Sequence, residues 1–443
     1  MADIDRRQFG KLAGALGLAG SQVSPLGNRA IAKGGAKIVV VGGGAGGATA
    51  AHYLKKGEPE LDVTLIDANP RYSSSFFSNL FLGDLRSFSS LGHDYAGLQR
   101  LRIKVVRAMA SDVDTAKKVV RTTGGGVFPY DRLVLSPGID MKYGSIAGYS
   151  KEASLIMPHA YTTDGSQKQL LKRQLEGMKD GGVVIMVAPN NPFRCPPGPY
   201  ERACMIAHYL KTRKPKSKLI ILDPKKSFSK QAVITDAFEK YYKDIVELNL
   251  SNDIDSFAVV RVDPKTREVE IQDGKKWKGD VVNVIAQQRA GEIAIKAGCA
   301  EGDWCPINAE NFTSKKVKDV YVLGDSAIAA EMPKSAFSAN SQAKTVVADI
   351  LADVAGKERF PARFRNTCWS LLAPDDCVKI GANYAPKDGK LDPSGSFVSQ
   401  RGEDGEVRKQ NLAESIAWYS SITEDMFAKS AGARAPRAGG KAG

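Results

Sequence analysis

One run of glycines, two cysteines and one glutamate are the residues of this chain whose types and spacing could do chemistry. Gly42-Gly43-Gly44-Ala45-Gly46-Gly47 puts Gly42, Gly44 and Gly47 in GxGxxG register, with Ala45 inside the turn. Such a turn lets backbone N–H groups approach a pyrophosphate at a helix start. Asp67 comes 20 residues after Gly47, the separation at which a carboxylate accepts from a ribose hydroxyl. Aspartate rather than arginine argues for an adenosine ribose without a phosphate. Cys195 stands in the proline-rich run from Ala188 to Arg202, and Glu201 follows it six residues later. Cys368 lies about 170 residues downstream, so the two cysteines could meet only through the tertiary fold. A thiolate in a loop after a sheet strand would sit where open α/β sheets bind ligands. The same residues admit plainer roles: a static disulfide for the cysteines, and a solvated helix-start acid for Glu201.

The elements that must position these groups are legible as alternating strands and helices. Lys37 to Val41 is a continuous β-branched run, the pattern of a buried parallel strand, and it leads straight into the glycines. Ala48 to Lys56 reads as the helix that follows, and Val63 to Asp67 as the next strand. Gly182 to Val187 and Lys218 to Asp223 read as strands of a second unit. Between them a second glycine turn would be expected, but prolines stand there, and they cannot make a pyrophosphate turn. Val320 to Asp325 is a late strand ending in Gly324-Asp325, where Asp325 also reads as a helix cap. Near the end, Ile416, Tyr419, Ile422 and Phe427 form a helical stripe with Glu414, Glu424 and Asp425 outside it. Lys387 to Gly405 is an Asp- and Gly-rich excursion. Lys429 to Gly443 has the composition of a disordered tail.

Composition narrows the classes further. The chain has 443 residues, 43% of them hydrophobic and 25% charged, which is ordinary for a globular protein of two or three domains. No apolar run approaches the ~20 residues of a membrane span, so no integral membrane segment is expected. Asp5-Arg6-Arg7-Gln8-Phe9-Gly10-Lys11, the apolar Leu12 to Ala19 and the small-residue site Ala30-Ile31-Ala32 read as a twin-arginine export leader over residues 1–32. A cytosolic amphipathic N-terminus is the plainer alternative. Export implies the periplasm, where disulfides persist. The net charge is +14; the leader holds four basic and two acidic residues, so its removal leaves +12. The basic cluster Lys211, Arg213, Lys214, Lys216 and Lys218 could steer an acidic partner or simply be solvated. Export and the absence of interleaved aromatics disfavour nucleic acid. Neither CxxC nor CxxCH occurs, so no metal site and no covalent haem are expected. Four histidines without a nucleophile elbow give hydrolysis no support. Cys204 reads as a buried small hydrophobe, Cys299 and Cys305 could close a small loop, and Cys377 has no assigned partner.

Three long motifs carry a resemblance. Phe193 to Arg202, Pro333 to Lys344 and Asn366-Thr367-Cys368-Trp369-Ser370-Leu371-Leu372-Ala373-Pro374 resemble the flavoprotein subunit of flavocytochrome c sulfide dehydrogenase. This family is related to sulfide:quinone oxidoreductase and to the disulfide-reductase-like flavoproteins. The likeness runs from the leader to about residue 427. Tyr130 to Gly138 is similar to the strand-turn of two-dinucleotide flavoproteins, and Val320 to Asp325 to their late strand. The resemblance implies an α/β fold of two Rossmann-like dinucleotide-binding domains, the second inserted in the first, plus a small α+β C-terminal domain. It divides the chain into an FAD-binding domain over 33–150 and 286–355, an inserted domain over 151–285, and a C-terminal flavin and cytochrome-interface domain over 356–428. It implies FAD bound by Gly42, Gly44, Ala45, Gly47, Asp67, Ser136, Gly138, Gly324, Asp325, Ser338 and Trp418. It further implies a redox-active disulfide between Cys195 and Cys368, with Glu201 as acid/base, that takes sulfide or another small sulfur anion and sends electrons to a c-type cytochrome. Some members attach FAD through a cysteine thioether. Here Ser75 takes that cysteine's place, so non-covalent FAD is expected. Sulfide:quinone oxidoreductase, and a non-catalytic flavoprotein subunit of a sulfur-oxidation system, are the alternatives.

Overall fold

The computed structural model describes residues 35–251 and 256–429. The expected leader, and the tail beyond Lys429, lie outside the described residues. The N-terminal run forms β1 (Lys37–Val41), whose Ile38 to Val41 are all buried. Burying side chains of this size contributes ~1.5–3 kcal/mol each, which fixes the strand end that carries the glycine turn. Helix α1 (Gly47–Gly57), β2 (Asp62–Asp67), the short helix α2 (Ser78–Leu82), β3 (Lys104–Arg107) and β4 (Arg132–Leu135) follow. The chain then leaves this sheet and builds a second one. Its elements are α3 (Ser166–Gly177), β5 (Val183–Val187), α4 (Gly198–Arg213), β6 (Lys218–Asp223), α5 (Gln231–Tyr242), β7 (Val246–Leu250) and β8 (Val281–Val284). Strand β9 (Val320–Val322) returns to the first sheet beside β4.

Both sheets are parallel, ordered β9-β4-β1-β2-β3 and β7-β6-β5-β8. In each, the first strand of the unit is central and the order reverses next to it. That reversal opens a crevice at the carboxyl ends of β1 and β4, and another at β5 and β8. The two units share a feature that their apolar pattern hides. A three-stranded antiparallel excursion precedes β4 in the first, over 110–129, and β8 in the second, over 259–278.

The C-terminal part starts with α6 (Ala336–Ala355) and an antiparallel sheet of β10 (Phe364–Ala373), β11 (Asp376–Lys387) and β12 (Lys390–Val398). It ends in α7 (Gly405–Phe427). Two expectations are corrected here. The excursion from Lys387 to Gly405 contains the whole of β12. The stripe on α7 is also different: Ile416 is 52% exposed, whereas Asp425 is half-buried. The Asp425 carboxylate accepts from Tyr53 and Asn340 and pairs with Lys344 at 2.6 Å. The buried face keeps Tyr419, Ile422 and Phe427 of the expected stripe and runs on through Arg408, Asn411, Ser415, Thr423 and Met426. Among the described residues, no helix is long and apolar enough to cross a membrane.

Candidate functional site

A cavity opens at the β1/β4 crevice, and the sequence-predicted residues converge on it. Gly42 to Gly46, Asp67, Ser136, Gly138, Gly324, Asp325 and Trp418 all line it, as do Cys195, Glu201 and Cys368. Gly42 needs to be glycine: its φ is +103°, and a Cβ there would stand 2.2 Å from the Ser136 carbonyl oxygen. Gly47 does not line the cavity but lies beneath the turn, where a Cβ would stand 1.9 Å from the Gly42 oxygen. Ser338 is also outside the lining. It is buried in the first turn of α6, where its N–H donates to Ser335 Oγ and its hydroxyl meets Asn366 Oδ1 at 3.2 Å. Ser335, its cap, lines the cavity instead.

The lining has the chemistry of a dinucleotide cradle. Asp67 accepts from the Gly43 N–H at 2.6 Å and the Asn69 N–H at 2.8 Å. Burial pushes its carboxyl above the ordinary range, while those donors oppose the rise. At the other end, Asp325 is likewise pushed up by burial, against the pull of Arg194 and Lys334. Its Oδ1 is buried without a hydrogen-bond partner among the described residues, as are Ser75 Oγ and Trp369 Nε1. All three residues line the cavity. Buried polar atoms are normally paired, so a polar ligand that reaches all three is the fit this lining asks for. An aromatic wall completes it. Trp418 stacks on Phe337 at 6.0 Å and 5°, and meets Phe76 and Trp369 at 5.4 Å. Of these, sequence reasoning singled out Trp418 alone.

Three segments bring the reactive groups to the same cavity. The proline-rich loop holds Cys195 at φ +61°, with its N–H donating to the Lys334 carbonyl at 2.7 Å and its carbonyl accepting from Gly198 N–H at 2.7 Å. Strand β10 presents Cys368, whose Sγ lies 3.5 Å from the Asn366 amide. Glu201 sits in the first turn of α4 and is not a solvated acid. It accepts from the Leu371 N–H at 3.0 Å and from Asn79 Nδ2 at 2.7 Å. Burial raises its carboxyl, and those donors, with Lys230 and Arg202, pull it back. Burial and the nearby Cys368 and Glu201 push the Cys195 thiol up to about 12; Cys368 is raised too, by burial, with Lys230 the first group opposing. Both cysteines are thiols in this structure, where the resemblance implies a disulfide.

The remaining cysteines fall into place. Cys377 also lines the cavity, from β11, and burial pushes its thiol up to about 12. Cys204, Cys299 and Cys305 are buried free thiols, so the last two do not close a loop here. Among the described residues no three His, Cys, Asp or Glu side chains group as a metal would need. The basic cluster is exposed except for half-buried Lys214, and part of it is bonded locally: Lys211 donates to Tyr241 O at 3.0 Å, Lys214 to Glu176 O and Met178 O, and Lys218 to Asp244 O.

At the second crevice the acid is already engaged. Asp223, the acid at the end of β6, is fully buried and already bonded to Tyr200 OH at 2.5 Å and Lys225 Nζ at 2.6 Å. Lys225 also reaches the Pro189 carbonyl at 2.5 Å, so the loop is laced to the acid.

Comparison with known proteins agrees with this geometry. The model of the sulfide dehydrogenase (flavocytochrome c) flavoprotein chain, central, matches residues 168–286. That of flavocytochrome c sulphide dehydrogenase, flavin-binding, matches 361–427, and pyridine nucleotide-disulphide oxidoreductase matches 36–180. A sulfide-quinone reductase of Aquifex aeolicus is 29% identical over 179 residues, 40% of each chain. The chain thus spans two fifths of the length of that curated relative. The sulfide:quinone oxidoreductase structure from Aquifex aeolicus superimposes with a TM-score of 0.70 at 17% identity, over 89% of this chain and 93% of that one. An NAD-dependent persulfide reductase from A. fulgidus gives 0.59 at 17%, over 86% and 77%. With the flavin-binding model over 361–427, the glycine cradle and unpaired Asp325 identify FAD as the cofactor.

Proposed function

We propose that this chain, a flavoprotein of the flavocytochrome c sulfide dehydrogenase family, oxidises sulfide to sulfur or polysulfide and passes the electrons to a c-type cytochrome. One observation carries the reading: Cys195 and Glu201 from one segment, and Cys368 from another far along the chain, open onto the cavity lined by the glycine turn and Asp325. In this reading residues 33–150 and 286–355 form the FAD-binding domain, 151–285 the inserted one and 356–428 the C-terminal one. The leader sends the protein to the periplasm.

The chain's own part of the chemistry follows from the site. In the oxidised form a Cys195–Cys368 disulfide is the electrophile. A hydrosulfide ion attacks one sulfur, a new S–S bond forms, the old one breaks, and the electron pair leaves on the other sulfur as a thiolate. Glu201, raised by burial, holds or receives a proton beside that pair. Asp67 and Asp325 would hold hydroxyl groups of the cofactor, and the Gly42 turn its pyrophosphate. Bound FAD supplies a two-electron acceptor that can give electrons up singly. It is held without a covalent bond, because a serine hydroxyl at position 75 is far less nucleophilic than a thiolate.

The test is anaerobic addition of sulfide to the purified protein with a purified c-type cytochrome. Sulfide-dependent cytochrome reduction is expected from the wild type. C195S should lose it while keeping the flavin spectrum, and full activity in C195S would sink the mechanism. A second reading, transfer to a quinone, is favoured by the likeness to the sulfide-quinone reductase of Aquifex aeolicus. Reduction of a soluble quinone and not of the cytochrome would select it.

A further inference from the structure

Lys230 is a buried cation that the reaction as described does not use. It caps α5 from the left-handed region, with φ +63°, and is 6% exposed. Its ammonium donates to the Cys368 carbonyl at 3.1 Å and to Ser370 Oγ at 2.6 Å. Both acceptors are neutral, and no carboxylate is bonded to it among the described residues. A buried charge without an ionic partner is costly, and a non-glycine residue in the left-handed region adds to the cost. Strain of this kind gathers at functional sites.

The groups whose charge would balance Lys230 all belong to the site. They are Cys368 foremost, then Glu201, Cys377 and Cys195. The relation is mutual, since Lys230 is the first group that opposes the burial of Cys368. Cys195 is placed differently. Cys368 and Glu201 raise it together, and Lys230 acts on it only after them. The two sulfurs of the pair are therefore electrostatically unequal, and the cation is anchored on the backbone of one of them.

We propose that Lys230 is a positioning residue that holds the negative charge released on Cys368 Sγ when the Cys195–Cys368 bond is opened. The step rests on the sulfide reading above. Hydrosulfide bonds to Cys195 Sγ, the Cys195–Cys368 bond breaks, and its electron pair stays on Cys368, with no further oxidant needed for this step. A less basic thiol leaves faster, so the ammonium makes Cys368 the leaving sulfur and Cys195 the one that carries the persulfide.

The experiment needs no sulfide and therefore separates this proposal from the function. The holoprotein is reduced with a phosphine and alkylated with iodoacetamide between pH 6 and 10, and each cysteine is followed by peptide mass spectrometry. Besides Lys230, the titratable groups that act on Cys368 are Glu201 from α4, Tyr384 from β11 and Cys195 from the loop, and Arg194, Arg202 and Cys377 line the same cavity. All are common to the variants, so differences between profiles report Lys230. In K230M, alkylation of Cys368 at pH 8 should slow about tenfold, equivalent to a rise of one unit in its half-point. K230R should restore most of the rate, and Cys195 should move less. Superimposable Cys368 profiles for wild type and K230M, with flavin absorbance intact in both, would overturn the proposal. If K230M does not fold, S370A removes one anchor and keeps the charge. A smaller rise in the same direction supports the role, and an unchanged profile overturns it. If sulfide fails to bleach the wild-type flavin while the Lys230 effect persists, the function fails and the positioning role stands.

Discussion

At the scale of single residues, Glu201 should leave a signature in stability as well as activity. Its carboxyl is raised above the ordinary 4.5 because burial outweighs the Leu371 and Asn79 donors. A raised value means that the folded protein binds this proton more tightly than the unfolded chain does. The resulting stabilisation is present below the ordinary carboxylate range and is lost as pH rises through the raised value. Each unit of rise is worth about 1.4 kcal/mol. E201Q, neutral throughout, should not lose it. Urea unfolding at pH 5 and pH 8 should therefore show the wild type losing ground to E201Q on going to the higher pH. An equal gap at both values would mean that the carboxylate is not raised. Cys195, Cys368 and Glu201 were legible in the sequence because they sit in long, unusual motifs. Lys230 was not, since a lysine at a helix start carries no signal until the fold closes over it. Phe337 and Trp369 were hidden similarly, inside motifs read for other residues.

At the scale of elements, the loop after β5 bears on whether a nicotinamide dinucleotide can serve the cofactor. It has prolines where a nicotinamide dinucleotide would need glycines, and Asp223 is held by Tyr200 and Lys225. NADH should therefore not bleach the flavin band at a useful rate; rapid bleaching that saturates at micromolar NADH would show the loop to be misread. The segment after β2 makes a second statement. Ser75 Oγ faces the cavity without a partner, and no thiol stands in its place. Acid precipitation should release yellow flavin into the supernatant, whereas colour in the pellet would require another residue to carry a covalent bond. Elements with a strong periodic signal were read correctly, as with β1, β2, β5 and β6. Strand β12 was not, because KLDPSGSFV is an edge strand with little to bury and shows no apolar alternation. Helix α7 misled for a geometric reason. Steps of three residues at 3.6 per turn drift, so Ile416 and Ile422 stand ~120° apart around the axis. Polar Arg408, Asn411 and Ser415 occupy the face that is really buried.

At the scale of the whole molecule, Asp425 ties the last helix to the first. It joins Tyr53 of α1, Asn340 and Lys344 of α6, and its carbonyl meets His52 Nδ1 at 2.7 Å. Removing such a hub leaves several polar groups unpaired, so D425A should lower stability by ~2–3 kcal/mol. Urea unfolding measures that, and flavin lost on gel filtration would report the loosened wall. A variant as stable as wild type, with its flavin kept, would show the clasp to be ornamental. The cavity that this clasp closes draws its walls from residues as far apart as Gly42 and Trp418. During translation the glycine turn leaves the ribosome hundreds of residues before its opposite wall exists. Until that wall exists the glycine turn has nothing opposite to shut it. The cavity can close only after α7 has emerged and Asp425 reaches Tyr53, which places its completion among the last events in the life of the newborn chain.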